Sequence, residues 1–164
     1  MARALIVGCG CSGRALGGEL RDEGWAVRGT SRDAEGLEAI EAAGIEPARA
    51  DPDRPGQVLD LVGDVAIVIW LLGSAAGPAE NLAAIHGPRL EALLERLVET
   101  PVRGFVYEGV GSVDPELLAA GAELVRNAER TWRIPVAVTE TPRGEGARWV
   151  EELETTAVEL LARR

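Results

Sequence analysis

The chain has 164 residues, 17 basic and 27 acidic side chains and a formal net charge of −10. A domain takes roughly 100 to 200 residues, so residues 1–164 are expected to form one domain with no separate substrate domain, and the acid excess is the wrong sign for a nucleic-acid or anionic-membrane partner. Apolar residues make up 46% of the chain, too many for a disordered acidic tail, while the longest apolar run, Val65 to Leu72, is far short of the ~20 residues that span a bilayer.

Residues 3–7 form a short apolar run halted by Gly8, the pattern of a buried parallel strand ending in a tight turn. This stretch passes straight into glycines without the long apolar segment of a secretory signal, so a cytoplasmic protein is expected. A helix over residues 13–23 sets Ala15, Leu16 and Leu20 on one face and stops at Gly24. Strand character returns over 26–30, and a helix over 34–43 with Leu37 and Ile40 inward ends at Gly44. A weaker third strand is read at 45–49 and a short helix at 56–62, before the strongest strand of the sequence, residues 64–72. Its unbroken hydrophobicity calls for cover on both faces.

Residues 79–99 read as a long helix carrying Leu82, Leu90, Leu93, Leu94 and Leu97, bent or interrupted at Gly87 and Pro88. A fifth strand follows at 102–107. The next helix, 115–132, lines up Leu117, Gly121, Leu124, Val125, Ala128 and Trp132. A sixth strand at 135–139 precedes a last helix over 147–162, with Trp149, Val150, Leu153, Ala157, Leu160 and Leu161 in one stripe. Strands alternating with helices in this way predict an α/β, three-layer, doubly wound parallel sheet of about six strands, a Rossmann fold, because parallel neighbours need right-handed helical crossovers.

Gly8, Gly10 and Gly13 satisfy GxGxxG between a strand and a helix at the start of the chain. Gly8 allows the tight turn, Gly10 lets a pyrophosphate approach the backbone, and Gly13 lets the helix pack close to the sheet. The amides of Cys11, Ser12 and Gly13 would then face phosphate from a helix N-terminus. An acid at the end of the second strand binds a ribose 2′-hydroxyl, whereas Arg accommodates a 2′-phosphate. That end reads Gly29-Thr30-Ser31-Arg32-Asp33. With Ser31 and Arg32 ahead of Asp33, NADP is favoured over NAD, and the preference reverses if Asp33 faces the ribose instead. Arg14 either adds a second cation to that phosphate or is an ordinary solvated arginine.

The combination of VGCGCSGRAL (residues 7–16), the Gly29–Arg32 stretch, Ala50-Asp51-Pro52-Asp53, the bare fourth strand ending Trp70-Leu71-Leu72-Gly73, and GFVYEGVGSV (residues 104–113) resembles the atypical branch of the short-chain dehydrogenase/reductase superfamily over roughly residues 3 to 140. The resemblance implies an NAD(P) cofactor, Asp51 beside the adenine amino group, and Leu71, Leu72 and Gly73 along the cofactor. It also implies a homodimer formed through the helices at 79–99 and 115–132. Many members carry GxxGxxG; the GxGxxG of this chain also occurs in the atypical branch. The family's serine beyond strand five matches Gly109 and Val110 here, and the helix that should carry its Tyr and Lys has neither. The chain contains no lysine at all.

No catalytic residue is assigned. Glu108, at the end of strand five, is the best positioned remaining acid/base, or else a rim carboxylate bonded to loop amides. Tyr107 alternates with it and pairs in direction with Phe105, so core is the simpler reading. Ser112 lacks a partner base. Cys9 and Cys11 are too close in sequence for ordinary disulfide geometry, and no second pair completes a metal site. His86, the only histidine, reads as a satisfied, partly buried residue. Trp70 borders the expected crevice, and Trp132 and Trp149 fit helical apolar stripes. Two functions follow as expectations: a small NADP-dependent oxidoreductase with an unknown small-molecule substrate, or a non-catalytic dinucleotide sensor. A Rossmann domain for another nucleotide such as a flavin is a third.

Overall fold

The computed structural model describes residues 2–163. Six strands, β1 (Arg3–Val7), β2 (Ala26–Ser31), β3 (Glu46–Arg49), β4 (Ile67–Trp70), β5 (Gly104–Glu108) and β6 (Val136–Thr139), make one sheet in the order β3-β2-β1-β4-β5-β6. Every pairing is parallel. The order reverses between β1 and β4, the switch point outside which open α/β sheets bind their ligands.

Strict alternation along the central strands feeds two cores, one on each face. Leu5 and Val7 of β1, Val68 and Trp70 of β4, and Phe105 and Tyr107 of β5 point to one face. They meet α3 (Pro55–Leu59), α4 (Ala79–Ile85), α5 (Pro88–Leu97) and α6 (Pro115–Trp132) there. Ala4, Ile6, Ile67, Ile69 and Val106 point to the other, against α1 (Cys11–Asp22), α2 (Ala34–Ala42) and α7 (Ala147–Ala162). The doubly wound architecture expected from the sequence is what forms.

Several details differ. The first helix opens at Cys11, two residues early, because Gly10 in extended conformation caps it directly. Ala15 faces solvent, and Gly17 takes its place against the core beside Leu16 and Leu20. The 79–99 stretch divides at the expected point: His86 closes α4, Pro88 starts α5, and a Cβ on Gly87 would lie 2.7 Å from the Ala83 carbonyl oxygen. In α6 the buried residue is Leu118, with Leu117 half-buried, so the apolar stripe runs Leu118, Gly121, Ala122, Val125, Ala128. Trp70 does not border the crevice. Its position on β4 turns it into the α5–α6 core, where its ring centroid lies 6.1 Å from that of Phe105. No helix among the described residues is long and apolar enough to cross a membrane.

Candidate functional site

The turn after β1 is shaped by glycine geometry. Gly8 has φ +85°, and a Cβ there would lie 2.6 Å from the Leu71 carbonyl oxygen and 2.7 Å from Leu72 Cδ2. The turn is pinned from β2: Thr30 Oγ1 accepts the Gly8 amide at 3.2 Å, and its carbonyl accepts the Cys9 amide at 3.1 Å. Gly13 is tight on the opposite side, its Cβ position 3.3 Å from Ile6 Cγ2 and 3.4 Å from Cys9 Sγ. At Gly10 nothing stands within 4 Å of the Cβ position. Open space therefore lies where a phosphate would approach, and tight packing lies where helix meets sheet.

The first intrahelical bond of α1 runs from the Arg14 amide to the Gly10 carbonyl at 2.8 Å. The amides of Cys11, Ser12 and Gly13 precede it and have no acceptor among the described residues, and no side chain caps this end. Such an array, at the positive end of the helix dipole, suits an anion.

A cleft of about 640 Å³ runs from this turn across the ends of β1, β2 and β3. It brings together Gly8, Gly10, Ser31, Arg32, Asp51, Leu71 and Leu72 from the expected set, with Arg14 beside them. Asp33 also lines it, but its carboxylate accepts the Gly36 amide at 2.7 Å as the N-cap of α2. Ser31 Oγ accepts the Asp33 amide at 3.4 Å, and a Cβ on Gly36 would collide with Ser31. Arg49, which the sequence reading missed, donates from Nη1 to the Arg32 carbonyl at 2.7 Å. Two exposed guanidinium-bearing residues thus stand at the ends of β2 and β3. The Asp51 carboxylate accepts the Asp53 amide at 2.9 Å, so the acid is a loop tether as well as a lining group.

Cys11 and Ser12 line a second cleft, of about 760 Å³, between α1 and α7. Gly13 lines neither cleft, since its Cα is packed against the sheet. Arg143, in a 3-10 turn at Arg143–Glu145 that follows β6, borders both. Its Nε and Nη2 donate to Glu108 Oε2 and Oε1 at 2.7 and 2.8 Å, and Nη2 reaches the Leu71 carbonyl at 3.1 Å. Glu108 is only 1% exposed and also accepts the Gly73 amide at 2.9 Å. Glu108 does take a loop amide, that of Gly73, as one reading expected, but it is buried rather than at the rim and has both oxygens engaged, so it is not an available acid/base.

Beneath the crevice floor, His86 Nδ1 lies 2.6 Å from the Tyr107 hydroxyl and Nε2 lies 2.8 Å from the Leu72 carbonyl. Burial, followed by repulsion from Glu108, pushes the phenol above its usual range, and burial holds the imidazole below its own. Tyr107 is core, as expected, and His86 is buried rather than partly buried. Ser112 is exposed, its amide donating to Ser74 Oγ at 3.2 Å. Burial pushes the Cys9 thiol up to about 12, whereas Cys11 is exposed.

No family model matches the sequence, and no curated protein does. Solved structures match by fold. The triphenylmethane reductase of Citrobacter sp., complexed with NADP(H), is 16% identical with a TM-score of 0.60 over 82% of this chain and 48% of that one. The Bordetella bronchiseptica enzyme WbmH, in complex with NAD+, is 13% identical with a TM-score of 0.66 over 98% of this chain and 72% of that one. Vestitone reductase from alfalfa is 14% identical with a TM-score of 0.65 over 99% and 74%. The chain spans about half the length of several such neighbours, 48% and 50% in two of them. At these identities the likeness is one of fold, and it agrees with the superfamily resemblance carried by the sequence motifs.

Proposed function

We propose that this chain binds a nicotinamide dinucleotide along the C-terminal edge of its sheet, NADP in preference to NAD, and acts as a small oxidoreductase of the atypical short-chain dehydrogenase/reductase type. The observation that carries the reading is the pairing of three unpartnered amides at Cys11–Gly13 with the open space at Gly10, beside the β1/β4 switch point. The residues fit the group: Gly8, Gly10, Cys11, Ser12 and Gly13 would hold the pyrophosphate, Asp51 would sit beside the adenine amino group, and Leu71 and Leu72 would line the cofactor. The two matching folds solved with NADP(H) and NAD+ support the same ligand class.

The preference for NADP rests on chemistry at the end of β2. Asp33 commits one carboxylate oxygen to its helix cap, while Arg32 has Arg49 against its carbonyl and no carboxylate partner among the described residues. A 2′-phosphate would meet cations there rather than an acid that needs a free hydroxyl. When bound, the cofactor supplies a hydride. Of the chain's own groups, Tyr107 is sealed against His86 and Glu108 against Arg143, so the accompanying proton comes from water. The same sealing supports a second reading, a binding module that senses the dinucleotide without turnover. The homodimer implied by the resemblance belongs to this proposal, and light scattering tests it.

Calorimetric titration with NADP, NAD and their reduced forms tests the binding. Saturable uptake of NADPH with weaker uptake of NADH is expected; absence of uptake of all four removes the reading. NADPH consumption with aldehydes and quinones separates enzyme from sensor.

A further inference from the structure

We propose that Arg143 receives the oxygen of a carbonyl hydride acceptor, an aldehyde or ketone. The proposal rests on the dinucleotide reading above. Arg143 is fixed by a two-bond pairing with Glu108 and a third bond to the Leu71 carbonyl, with its guanidinium 5.7 Å above the Trp149 ring. Breaking such a pair would strand the carboxylate of Glu108, which is 99% enclosed, without its cation, a heavily disfavoured state. Arg143 therefore stays in place when a ligand arrives, as a wall of the site rather than a gate.

Its position matches the role. The guanidinium spans the C-terminal ends of β4 and β5, on the β4–β6 half of the switch-point crevice, and it stands where the two clefts meet. In a doubly wound dinucleotide fold the adenosine takes the β1–β3 half and the second nucleotide takes this one. Nη1 has no hydrogen-bond partner among the described residues, while Nε and Nη2 are occupied. A substrate carboxylate would need a free two-nitrogen fork, and both forks are compromised. A single oxygen can be met by Nη1 alone, which suits the carbonyl of an aldehyde or ketone.

A reduced nicotinamide held by the Gly8–Gly13 turn would supply the hydride for a new C–H bond at the carbonyl carbon and would itself be oxidised. The C=O π pair moves onto oxygen, and the alkoxide is stabilised by the Nη1 N–H donors. Water then protonates the alkoxide and leaves hydroxide. Arg143 remains charged throughout, so it acts as an electrostatic donor and never as an acid.

The test uses NADPH-loaded protein and isobutyramide, a carbonyl analogue that is not reduced, followed by NADPH fluorescence and calorimetry. The wild type is expected to bind the amide saturably only when NADPH is present. Arg143→Met combined with Glu108→Gln leaves no stranded charge, and thermal unfolding verifies that it folds. This double variant should still bind NADPH while losing amide affinity by about 10-fold or more, the scale of a lost charged hydrogen bond. With a reducible aldehyde, kcat should fall by roughly 100- to 1,000-fold, as on removal of an oxyanion donor. Amide binding that is absent in the NADPH-loaded wild type, or unchanged in the double variant, overturns the proposal while the dinucleotide reading stands. Absence of NADPH binding overturns both.

Discussion

The Tyr107 hydroxyl and His86 Nδ1 lie 2.6 Å apart in the core, and the far ring nitrogen reaches the Leu72 carbonyl at 2.8 Å. The carbonyl can only accept, so Nε2 carries the proton and Nδ1 receives the hydroxyl of Tyr107. One neutral imidazole thereby ties the end of α4 to β5 and to the crevice floor. Tyr107→Phe leaves a buried acceptor without a partner and should cost about 1–3 kcal/mol in urea unfolding. An unchanged midpoint would show that the bond contributes nothing.

Burial holds the His86 pKa below the ordinary 6.5, with the bond to Leu72 and the charge of Glu108 opposing the shift. The unfolded chain then takes up a proton at a higher pH than the folded one. The stabilisation linked to neutral His86 is complete above 6.5 and is lost as pH falls through the lowered folded value. His86→Gln should accordingly lose less stability than the wild type between pH 7.5 and pH 5. Parallel losses in the two proteins would exclude His86 as the titrating group.

Two glycines separated by one residue should give opposite phenotypes. Gly8→Ala places a Cβ 2.6 Å from a backbone oxygen at φ +85° and should lower the melting temperature sharply. Gly10→Ala points its methyl into open space, so the fold should survive and dinucleotide binding should fail. Melting curves and calorimetry on both variants check the contrast.

Arg32→Ala should weaken NADPH more than NADH, and equal loss would remove the cofactor preference. Asp33→Ala should instead cost about 1 kcal/mol of stability through its cap while leaving the ratio of the two affinities unaltered.

Alkylation with iodoacetamide at pH 8 should modify Cys11 and spare Cys9, whose thiol is buried and pushed up to about 12. Saturating NADP should slow the reaction at Cys11, which peptide mass mapping reads directly; an unaltered rate shows that the bound cofactor does not cover this thiol.

β1, β4, β5 and the glycine turn were legible because their signals are local: a short apolar run broken by a turn residue. The break at Gly87 and Pro88 was legible for the same reason. Arg143 was not, since its partners Glu108 and Leu71 come from two other strand ends and no spacing rule links them. A usable signal did exist, namely a polar residue just beyond a parallel strand's carboxyl end, where ligands gather in this architecture. Trp70 was misplaced by proximity in sequence to the crevice, although the face it shares with Val68 already turned it into the α5–α6 core. Leu117 and Leu118 differ by one helical step of 100°, within the uncertainty of a stripe drawn without knowing the helix's neighbours.

β1 has a neighbour on each side, β2 and β4, and both of its faces are covered. A strand so placed exchanges its amide hydrogens only when the whole domain opens, unlike the rim strands β3 and β6. The ligand cradle hangs from one of the most enclosed strands, so partial unfolding at the periphery, by heat or by proteolytic nicking, should leave anion capture intact almost to the global transition.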